Sequence, residues 1–278
     1  MKLIADSGAS STEWIVIDAN GEEQHFQTQG LNPYYLDTQG IENILAKELI
    51  PFIDNEKIES ICFYGAGCST VFNNMLMEDA FTGLFPNSTI LINSDLLGAA
   101  RALLGSGDGI ACILGTGSNS CRFNGREIVE NVPSLGYFFG DEGSGAHMGK
   151  LLCTDFMLGK VPEDIAKAFT DKYNQSRESI LHAVYRLPFP NRFLATFSHF
   201  MHENVKHPYV AAKVSGSFRD FIENNVKKYA GYEAFPVYFT GSVAWYFRDI
   251  LSNVAKENGI EIAGIERSPM KGLIGFHK

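Results

Sequence analysis

The chain has 278 residues, of which 45% are hydrophobic and 20% charged, and its formal net charge is −9. These values are typical of a globular protein and exclude a disordered or low-complexity chain. The acidic balance argues against nonspecific nucleic-acid binding, and no stretch approaches the roughly 18 apolar residues of a membrane span.

The first part of the chain alternates apolar strand patterns with helical ones. In chain order, the pattern predicts strands at 3–5, 14–17, 23–27, 58–64 and 88–93, and helices at 38–53, 73–84 and 95–104. Strands that alternate with helices and end in glycine-rich turns indicate α/β layering.

The second part begins with a similar strand–turn–strand pattern at residue 110. It continues with mostly helical patterns over 160–235, strands at 237–239 and 260–262, a helix from 242 to about 255, and a terminal helix at 269–276. At an offset of 109 residues, Ser7–Ser11 matches Thr116–Ser120, each between two apolar strands. We therefore expect a duplicated α/β unit.

Glycine is the most unusual feature of the composition. The chain has 27 glycines, and 11 of them fall between Gly105 and Gly149, interleaved with apolar runs. This spacing indicates a backbone that turns sharply and approaches another group closely, because glycine permits turns and close approaches that other residues do not.

Two small-residue turns are candidate phosphate loops. They are Asp6–Thr12 and Leu114–Ser120, and each lies between two predicted strands. Such turns can present backbone amides and hydroxyls to a phosphate, although a pair of ordinary β-hairpins explains the same pattern. Neither GxxxxGK[ST] nor GxGxxG occurs in the chain, so P-loop and dinucleotide-binding motifs are excluded.

Three acidic or histidine-rich segments could carry chemistry. Asp95 opens a predicted helix after a strand, where it could be a helix N-cap or a general base at a ligand-binding strand end. Asp141, in Gly140–Gly145, could complement a helix N-terminus or face a polar ligand. The histidines around 199–207 do not fit HExxH, and a solvated helix face explains them better than zinc.

The five cysteines are Cys62, Cys68, Cys112, Cys121 and Cys153. Their number is odd and no CxxC pair occurs, so we expect buried free thiols in a reducing compartment. The N-terminal apolar run ends at Asp6 and is too short for a signal peptide or a transmembrane helix. These features predict a cytoplasmic protein.

Taken together, the motifs resemble N-acetylglucosamine kinases of the actin-like sugar kinase and Hsp70 superfamily. That group includes ATPase domains of the benzoyl-CoA-reductase-activator type. The motifs are Asp6–Thr12, Gly30–Pro33, Asn93–Asp95, Leu114–Ser120, Gly140–Ser144 and Thr240–Val243. The resemblance implies two actin-like (ribonuclease H-like) α/β domains with a nucleotide cleft between them. We expect them at residues 1–114 and 115–267, with the terminal helix at 268–278 packing back on the first.

The resemblance also implies roles for individual residues. Asp95 would be the base that takes the proton from the sugar 6-hydroxyl, and Asp6 would orient Mg²⁺, through water. The expected sugar-binding residues are Asn32, Ser118, Asn119 and Asp141. The expected ATP-binding residues are Ser10, Thr116, Gly117, Gly241 and Ser242.

The implied activity is ATP-dependent phosphorylation of N-acetylglucosamine, or a close amino sugar, at the 6-hydroxyl. The implied partners are an amino sugar and ATP, with no nucleic acid or membrane, and relatives of this type are often homodimers. The first loop departs from the family pattern, because Ser11 stands where a lysine is common and Gly8 is its one glycine. Two alternatives stay open: an ATPase activator of a 2-hydroxyacyl-CoA dehydratase-type enzyme, and a catalytically weak sugar or nucleotide sensor.

Overall fold

The computed structural model describes residues 1–278, which form two compact units. Unit 1 comprises residues 1–106 and 269–278, and unit 2 comprises residues 107–268. Each unit is built around one five-stranded sheet with helices, which confirms the α/β prediction.

Unit 1 has a mixed sheet with the strand order β3-β2-β1-β4-β5. Its strands are β1 (Lys2–Ser7), β2 (Ser11–Ile17), β3 (Glu23–Gln29), β4 (Ser60–Gly65) and β5 (Thr89–Ser94). Its first three helices are α1 (Thr38–Glu48), α2 (Val71–Leu84) and α3 (Asp95–Leu104). Strands β1, β4 and β5 run parallel, so their carboxyl ends share one edge of the sheet.

Both faces of this sheet are buried, as the alternation along β1 requires. Leu3 and Ala5 belong to the cluster that packs under α1 and α2, whereas Ile4 belongs to a second cluster on the other face. That second cluster contains Met270 and Leu273 of the C-terminal helix. The C-terminal helix therefore completes the core of unit 1.

Unit 2 has a sheet with the order β8-β7-β6-β9-β10. The strands are β6 (Asp108–Leu114), β7 (Ser118–Asn124), β8 (Ile128–Asn131), β9 (Val237–Thr240) and β10 (Ile262–Glu266). The helices of its first part are α4 (Gly136–Phe139), α5 (Gly145–Met157), α6 (Glu163–Tyr173), α7 (Arg177–Arg186), α8 (Pro190–Glu203) and α9 (Pro208–Asn224). They are followed by α10 (Ser242–Tyr246) and α11 (Arg248–Glu257). The C-terminal helix, α12 (Met270–His277), belongs to unit 1.

The two sheets have the same connectivity, because β6 to β10 occupy the positions of β1 to β5. In both sheets the first two strands are antiparallel and the first strand is parallel to the fourth. The turns cover residues 8–10 and 115–117, so equivalent positions lie 107 residues apart (Gly8 and Gly115). The duplication expected from the sequence is present, but the offset of 109 was wrong by two residues.

Some element boundaries differ from the prediction. The sequence places a domain boundary after residue 114, whereas β6 pairs with β7 and β9 and so belongs to unit 2. Helix α1 ends at Glu48, ahead of a short 3₁₀ turn that contains Pro51, since proline cannot donate the helical hydrogen bond. The helix predicted from 242 to 255 is divided into α10 and α11 at the buried Phe247.

Strand β8 was not predicted, although a signal for it is present. Asn124-Gly125 is a hairpin dipeptide, and Gly125 has a φ of +86° at the turn between β7 and β8. Strand β10 starts at Ile262, later than expected, because the Ile260 N–H donates to Ala255 O at the end of α11. None of the twelve helices has the length and apolar composition needed to cross a membrane.

Candidate active site

The carboxyl edge of the unit 1 sheet carries two acidic residues. Asp6 pairs with Tyr64, which in turn pairs with Asn93, so Asp6 and the end of β5 lie at the same level of the sheet. Asp95 follows two residues later as the first residue of α3. Ligands of α/β proteins bind at this edge, because the loops that follow parallel strands meet there.

Helix α3 is capped by Ser94. The Ser94 hydroxyl accepts a hydrogen bond from Leu97 N at 3.2 Å, which satisfies an N–H that has no partner inside the helix. Asp95 is the next residue, and its Oδ1 accepts a hydrogen bond from Leu96 N at 2.8 Å. The N-cap interpretation of Asp95 is therefore wrong, and its carboxylate is available for another task.

Burial raises the pKa of both acidic groups. The pKa of Asp95 rises to about 6, although hydrogen bonds from the N–H groups of Leu96 and of Asp95 itself oppose the shift. The pKa of Asp6 rises to about 8, because burial is reinforced by the charges of Asp95 and Glu13. The charge of Asp95 thus raises the pKa of Asp6, and a carboxyl group beside other carboxylates attracts a cation or a proton.

The first candidate phosphate loop, residues 8–10, is tied to the segment that contains Asn32. Gly8 N donates to Ser11 O at 3.0 Å, and Gly30 N donates to Ser10 O at 3.1 Å. A Cβ on Gly30 would lie 2.5 Å from Gly8 O, so the two segments touch backbone to backbone. The Ser10 side chain is exposed at the tip of the loop.

Asn32 is held rigidly beside a third segment of unit 1. Its side chain is buried, and its Oδ1 accepts a hydrogen bond from Tyr34 N at 2.9 Å, which leaves the amide Nδ2 to donate to a ligand. Gly67, with a φ of +86°, packs so closely that a Cβ there would lie 2.6 Å from Asn32 Oδ1. The next residue, Cys68, is near enough to Asp95 for their charges to interact. The turn at 65–68 thus connects the surroundings of Asn32 and Asp95.

The second candidate phosphate loop, residues 115–117, has all three of its carbonyl groups occupied. Gly115 O and Thr116 O accept hydrogen bonds from Gly145 N and Ala146 N at 2.8 and 3.0 Å, and Gly117 O accepts from Gly115 N. These oxygens point at donors within the chain, so they do not repel an anion that approaches the loop. The same bonds fix the loop against the N-terminus of α5, whose dipole also favours an anion.

Asp141 lies on one side of this loop. A Cβ on Gly117 would be 3.0 Å from Asp141 Oδ2, and Ser118 N lies 3.5 Å from Oδ1 as a long hydrogen-bond donor. Asp141 is 9% exposed and has a φ of +63°, a left-handed conformation that non-glycine residues rarely adopt. Burial raises the pKa of its carboxyl group to about 6.

The Gly241 turn contacts the end of the strand that leads into the same loop. Gly241 has a φ of +113°, and a Cβ at this position would be 2.4 Å from Leu114 O. Its N–H donates to Glu266 O at 3.1 Å, and the exposed Ser242 begins α10 immediately afterwards. Unit 2 therefore places Asp141 against the loop at Gly117 and Gly241 against Leu114, the residue before the loop.

Among solved structures, the chain is similar to a candidate N-acetylglucosamine kinase from Porphyromonas gingivalis. The two are 43% identical, the match covers 100% of this chain and 98% of the other, and the TM-score is 0.94. The chain belongs to the N-acetylglucosamine kinase family. It is accordingly an enzyme of the sugar kinase type.

More distant relatives agree with this family. A curated N-acetyl-D-glucosamine kinase of Dictyostelium discoideum is 28% identical over 162 residues, 52% of this chain and 50% of that protein. The matched region thus spans about half the length of the curated relative. A candidate N-acetylglucosamine kinase from Chromobacterium violaceum is 16% identical with a TM-score of 0.74, which shows the shared fold. No protein-family model matches the chain.

The remaining sugar-site candidate, Asn119, is hydrogen-bonded to its own strand and to β8. Asn119 Oδ1 accepts hydrogen bonds from Ser120 N at 2.9 Å and from Asn131 Nδ2 at 3.2 Å, on the β8 side of β7. Neighbouring side chains of a strand face opposite sides of the sheet, so Ser118 and Asn119 do not share a face. The backbone N–H of Ser118 contacts Asp141, whereas the Asn119 side chain bonds Ser120 and Asn131.

The contacts of two residues near these groups were not predicted from the sequence. Ser94 was overlooked because an aspartate followed it, although serine is an equally good N-cap. Ser134 donates to Ser118 O at 3.3 Å and also hydrogen-bonds Asp141. Its position in a loop carries no local motif, so only the folded chain could show this contact.

Mg²⁺ is the metal ion that the kinase family implies, and the acidic side chains of unit 1 are oxygen donors of the kind it binds. Asp6, Glu13 and Asp95 interact electrostatically, but no three His, Cys, Asp or Glu side chains lie close enough to enclose a metal ion. This arrangement fits an ion held mainly by substrate phosphates and water. All five cysteines are buried free thiols, as the sequence predicts.

Proposed function

We propose that this kinase phosphorylates N-acetylglucosamine, or a close amino sugar, at the 6-hydroxyl, with ATP as the phosphoryl donor. The observation that carries the proposal is the Asp95 carboxylate, which lies at a ligand-binding sheet edge and is relieved of helix capping by Ser94. The family relationship supplies the substrate class, because its members are described as N-acetylglucosamine kinases.

In the proposed reaction, Asp95 acts as the general base. It accepts the proton from the sugar 6-hydroxyl as that oxygen attacks the γ-phosphorus, and ADP departs with the electrons of the broken P–O bond. A pKa of about 6 suits this role, because the carboxylate is ionised at neutral pH yet more basic than an exposed aspartate.

The proposed sugar-binding residues are Asn32 of unit 1 and Ser118, Asn119 and Asp141 of unit 2. Asn32 offers the Nδ2 donor, and Asp141 offers a buried carboxylate that accepts from sugar hydroxyls. Ser118, whose backbone N–H lies 3.5 Å from Asp141 Oδ1, would add a hydroxyl to the sugar contacts. Asn119 would also hydrogen-bond the sugar, and its Oδ1 is oriented by hydrogen bonds from Ser120 N and Asn131 Nδ2.

ATP would be bound mainly by unit 2. Thr116 and Gly117 would contact the phosphates, because their loop has its carbonyls occupied and lies at the N-terminus of α5. Gly241 and Ser242 would pass close to the adenosine, and Ser10 of unit 1 would supply a further phosphate contact. Loop 8–10 is the weaker of the two, since Gly8 is its one glycine and Ser11 stands where a lysine is common in the family.

Mg²⁺ would offset the charge of the ATP phosphates when bound. Asp6, whose pKa is raised to about 8 by burial and by neighbouring carboxylates, would orient the ion through water. We also propose a homodimer and a reducing cytoplasmic compartment, the latter supported by the five free thiols.

The test is ADP release measured over a panel of sugars, with the phosphorylated position determined by NMR. We expect turnover with N-acetylglucosamine or a close amino sugar, and a product phosphorylated at O6. Sugar and ATP binding without product would favour the sensor alternative. Iron in anaerobically purified protein, without sugar-stimulated turnover, would favour the dehydratase activator.

A further inference from the structure

The turn that carries Asp141 is supported by a buried hydroxyl on helix α9. Gly143 N donates a hydrogen bond to Ser217 Oγ at 3.0 Å, and Ser217 is fully buried. Gly143 has a φ of +76°, and a Cβ there would lie 3.0 Å from the Cβ of Phe221, one helical turn after Ser217. Helix α9 therefore fixes the backbone of the turn two residues after Asp141.

His147, on helix α5, forms a hydrogen bond with the same Ser217 hydroxyl. Its Nδ1 lies 2.8 Å from Ser217 Oγ. Since Ser217 already accepts a hydrogen bond from Gly143, its own proton can be donated to Nδ1, and both roles of the hydroxyl are then satisfied. This bond orients the Ser217 oxygen toward the Gly143 N–H.

Further hydrogen bonds connect His147 and the turn at Gly143 to Asp141. Ser144 N donates to Asp141 O at 3.0 Å, and His147 N donates to the Ser144 hydroxyl at 3.1 Å. Asp141 itself keeps a left-handed conformation with a φ of +63°. Such a conformation persists only where the surroundings enforce it, and these hydrogen bonds provide that enforcement.

We propose that Ser217, oriented by His147, is a positioning residue that sets the direction of the Asp141 carboxylate for sugar binding. The inference rests on the proposed function, in which Asp141 binds the sugar. Ser217 does not contact the substrate in this scheme. Its effect passes through Gly143 and the turn, so it should change sugar affinity without changing nucleotide affinity.

The experiment compares Ser217→Ala with Tyr209→Phe. Both remove one hydroxyl that joins α9 to α5, but the Tyr209 hydroxyl bonds Asp155 Oδ2 at 2.9 Å and has no bond to the turn. Amide hydrogen exchange of residues 140–145 in the ligand-free protein should be faster in Ser217→Ala only. The KM for the sugar should rise on the order of tenfold in that variant, with the KM for ATP unchanged, because one buried hydrogen bond is lost.

A second pair of variants tests the role of His147. An asparagine can place a polar atom where Nδ1 stood, so His147→Asn should restore much of the sugar affinity that His147→Leu loses. Equal increases in both KM values, equal effects of Tyr209→Phe, or unchanged exchange in Ser217→Ala would overturn the inference. A wild-type protein that phosphorylates no amino sugar would instead refute the proposed function, and this inference with it.

Discussion

Gly117 lies directly against Asp141, and a Cβ at position 117 would come within 3.0 Å of the carboxylate Oδ2. The phosphate-loop candidate and the sugar-side acid are therefore neighbours within one unit. Glycine at 117 is needed for this approach, since any side chain there would push the carboxylate aside. The glycine-rich segment from Gly105 to Gly149 thus serves at least one contact between two candidate ligand-binding groups.

We expect Gly117→Ala to weaken sugar binding on the order of three- to tenfold, because Asp141 must move by a few tenths of an ångström. Calorimetric titration with N-acetylglucosamine in the absence of ATP measures the effect. Gly216→Ala is the matched control, because a Cβ there meets no atom within 4 Å and alanine is favoured in a helix. Equal sugar affinity in the two variants would show that the contact does not matter.

Gly241→Ala should lower the free energy of unfolding by more than the strain of its positive φ alone would. The new Cβ would lie 2.4 Å from Leu114 O, in addition to the strain of a φ of +113°. Gly231→Ala isolates the backbone contribution, because Gly231 has a φ of +69° and open space around it. We expect a loss of about 1 kcal/mol for Gly231→Ala and at least about 2 to 3 kcal/mol for Gly241→Ala, measured by urea denaturation. Similar losses in both would argue against a tight approach to Leu114.

Asp141→Asn should stabilise the protein above pH 6. The pKa of Asp141 is raised to about 6 in the folded state from an ordinary value of 3.8, so the folded chain binds this proton more tightly. The stability this gives is present below pH 4 and is lost as the pH rises through 6. Removing the charge should therefore gain about 2 to 3 kcal/mol at pH 8 and nothing near pH 3.5.

Urea denaturation of wild type and Asp141→Asn across this pH range measures the difference. Asparagine also tolerates the left-handed conformation, so the comparison isolates the charge. A constant difference at all pH values would indicate that Asp141 titrates normally. The same variant should bind the sugar more weakly, as expected where a binding site is built at the expense of stability.

The rate of the proposed reaction should fall in acid. A general base with a pKa of about 6 must be ionised to accept the sugar proton, so kcat should be level at neutral pH and fall tenfold per pH unit below about 6. The measurement is kcat at saturating sugar and ATP from pH 4.5 to 8. A level kcat down to pH 4.5 would contradict the assignment of Asp95.

Ser94→Ala separates helix capping from catalysis. Loss of this cap should cost about 1 kcal/mol of stability, while Asp95 keeps its carboxylate and the enzyme keeps most of its kcat. Denaturation and steady-state kinetics of the same preparation give both values. A kcat lowered a hundredfold by Ser94→Ala would show that the helix end, not the Asp95 carboxylate, is limiting.

The sequence predicted the features that depend on interactions between residues a few positions apart. The strand–turn–strand pairs and the bounds of α3 follow from apolar alternation and from turn residues, which act over a few positions. The true offset of the repeat did not follow, because it is fixed by strand pairing across the sheet. The contacts of Gly117 with Asp141 and of Gly241 with Leu114 join residues far apart in the chain, so only the fold reveals why they are glycines.

The central claim is tested most directly by the turnover of Asp95→Asn with N-acetylglucosamine and ATP. Asparagine keeps the shape of the side chain but accepts a proton far less readily, and a missing general base costs about 10² to 10⁴ in rate. We predict a kcat lowered by at least a hundredfold, with sugar affinity close to that of the wild type. Turnover within a few-fold of the wild type would contradict the account of Asp95 as the catalytic base.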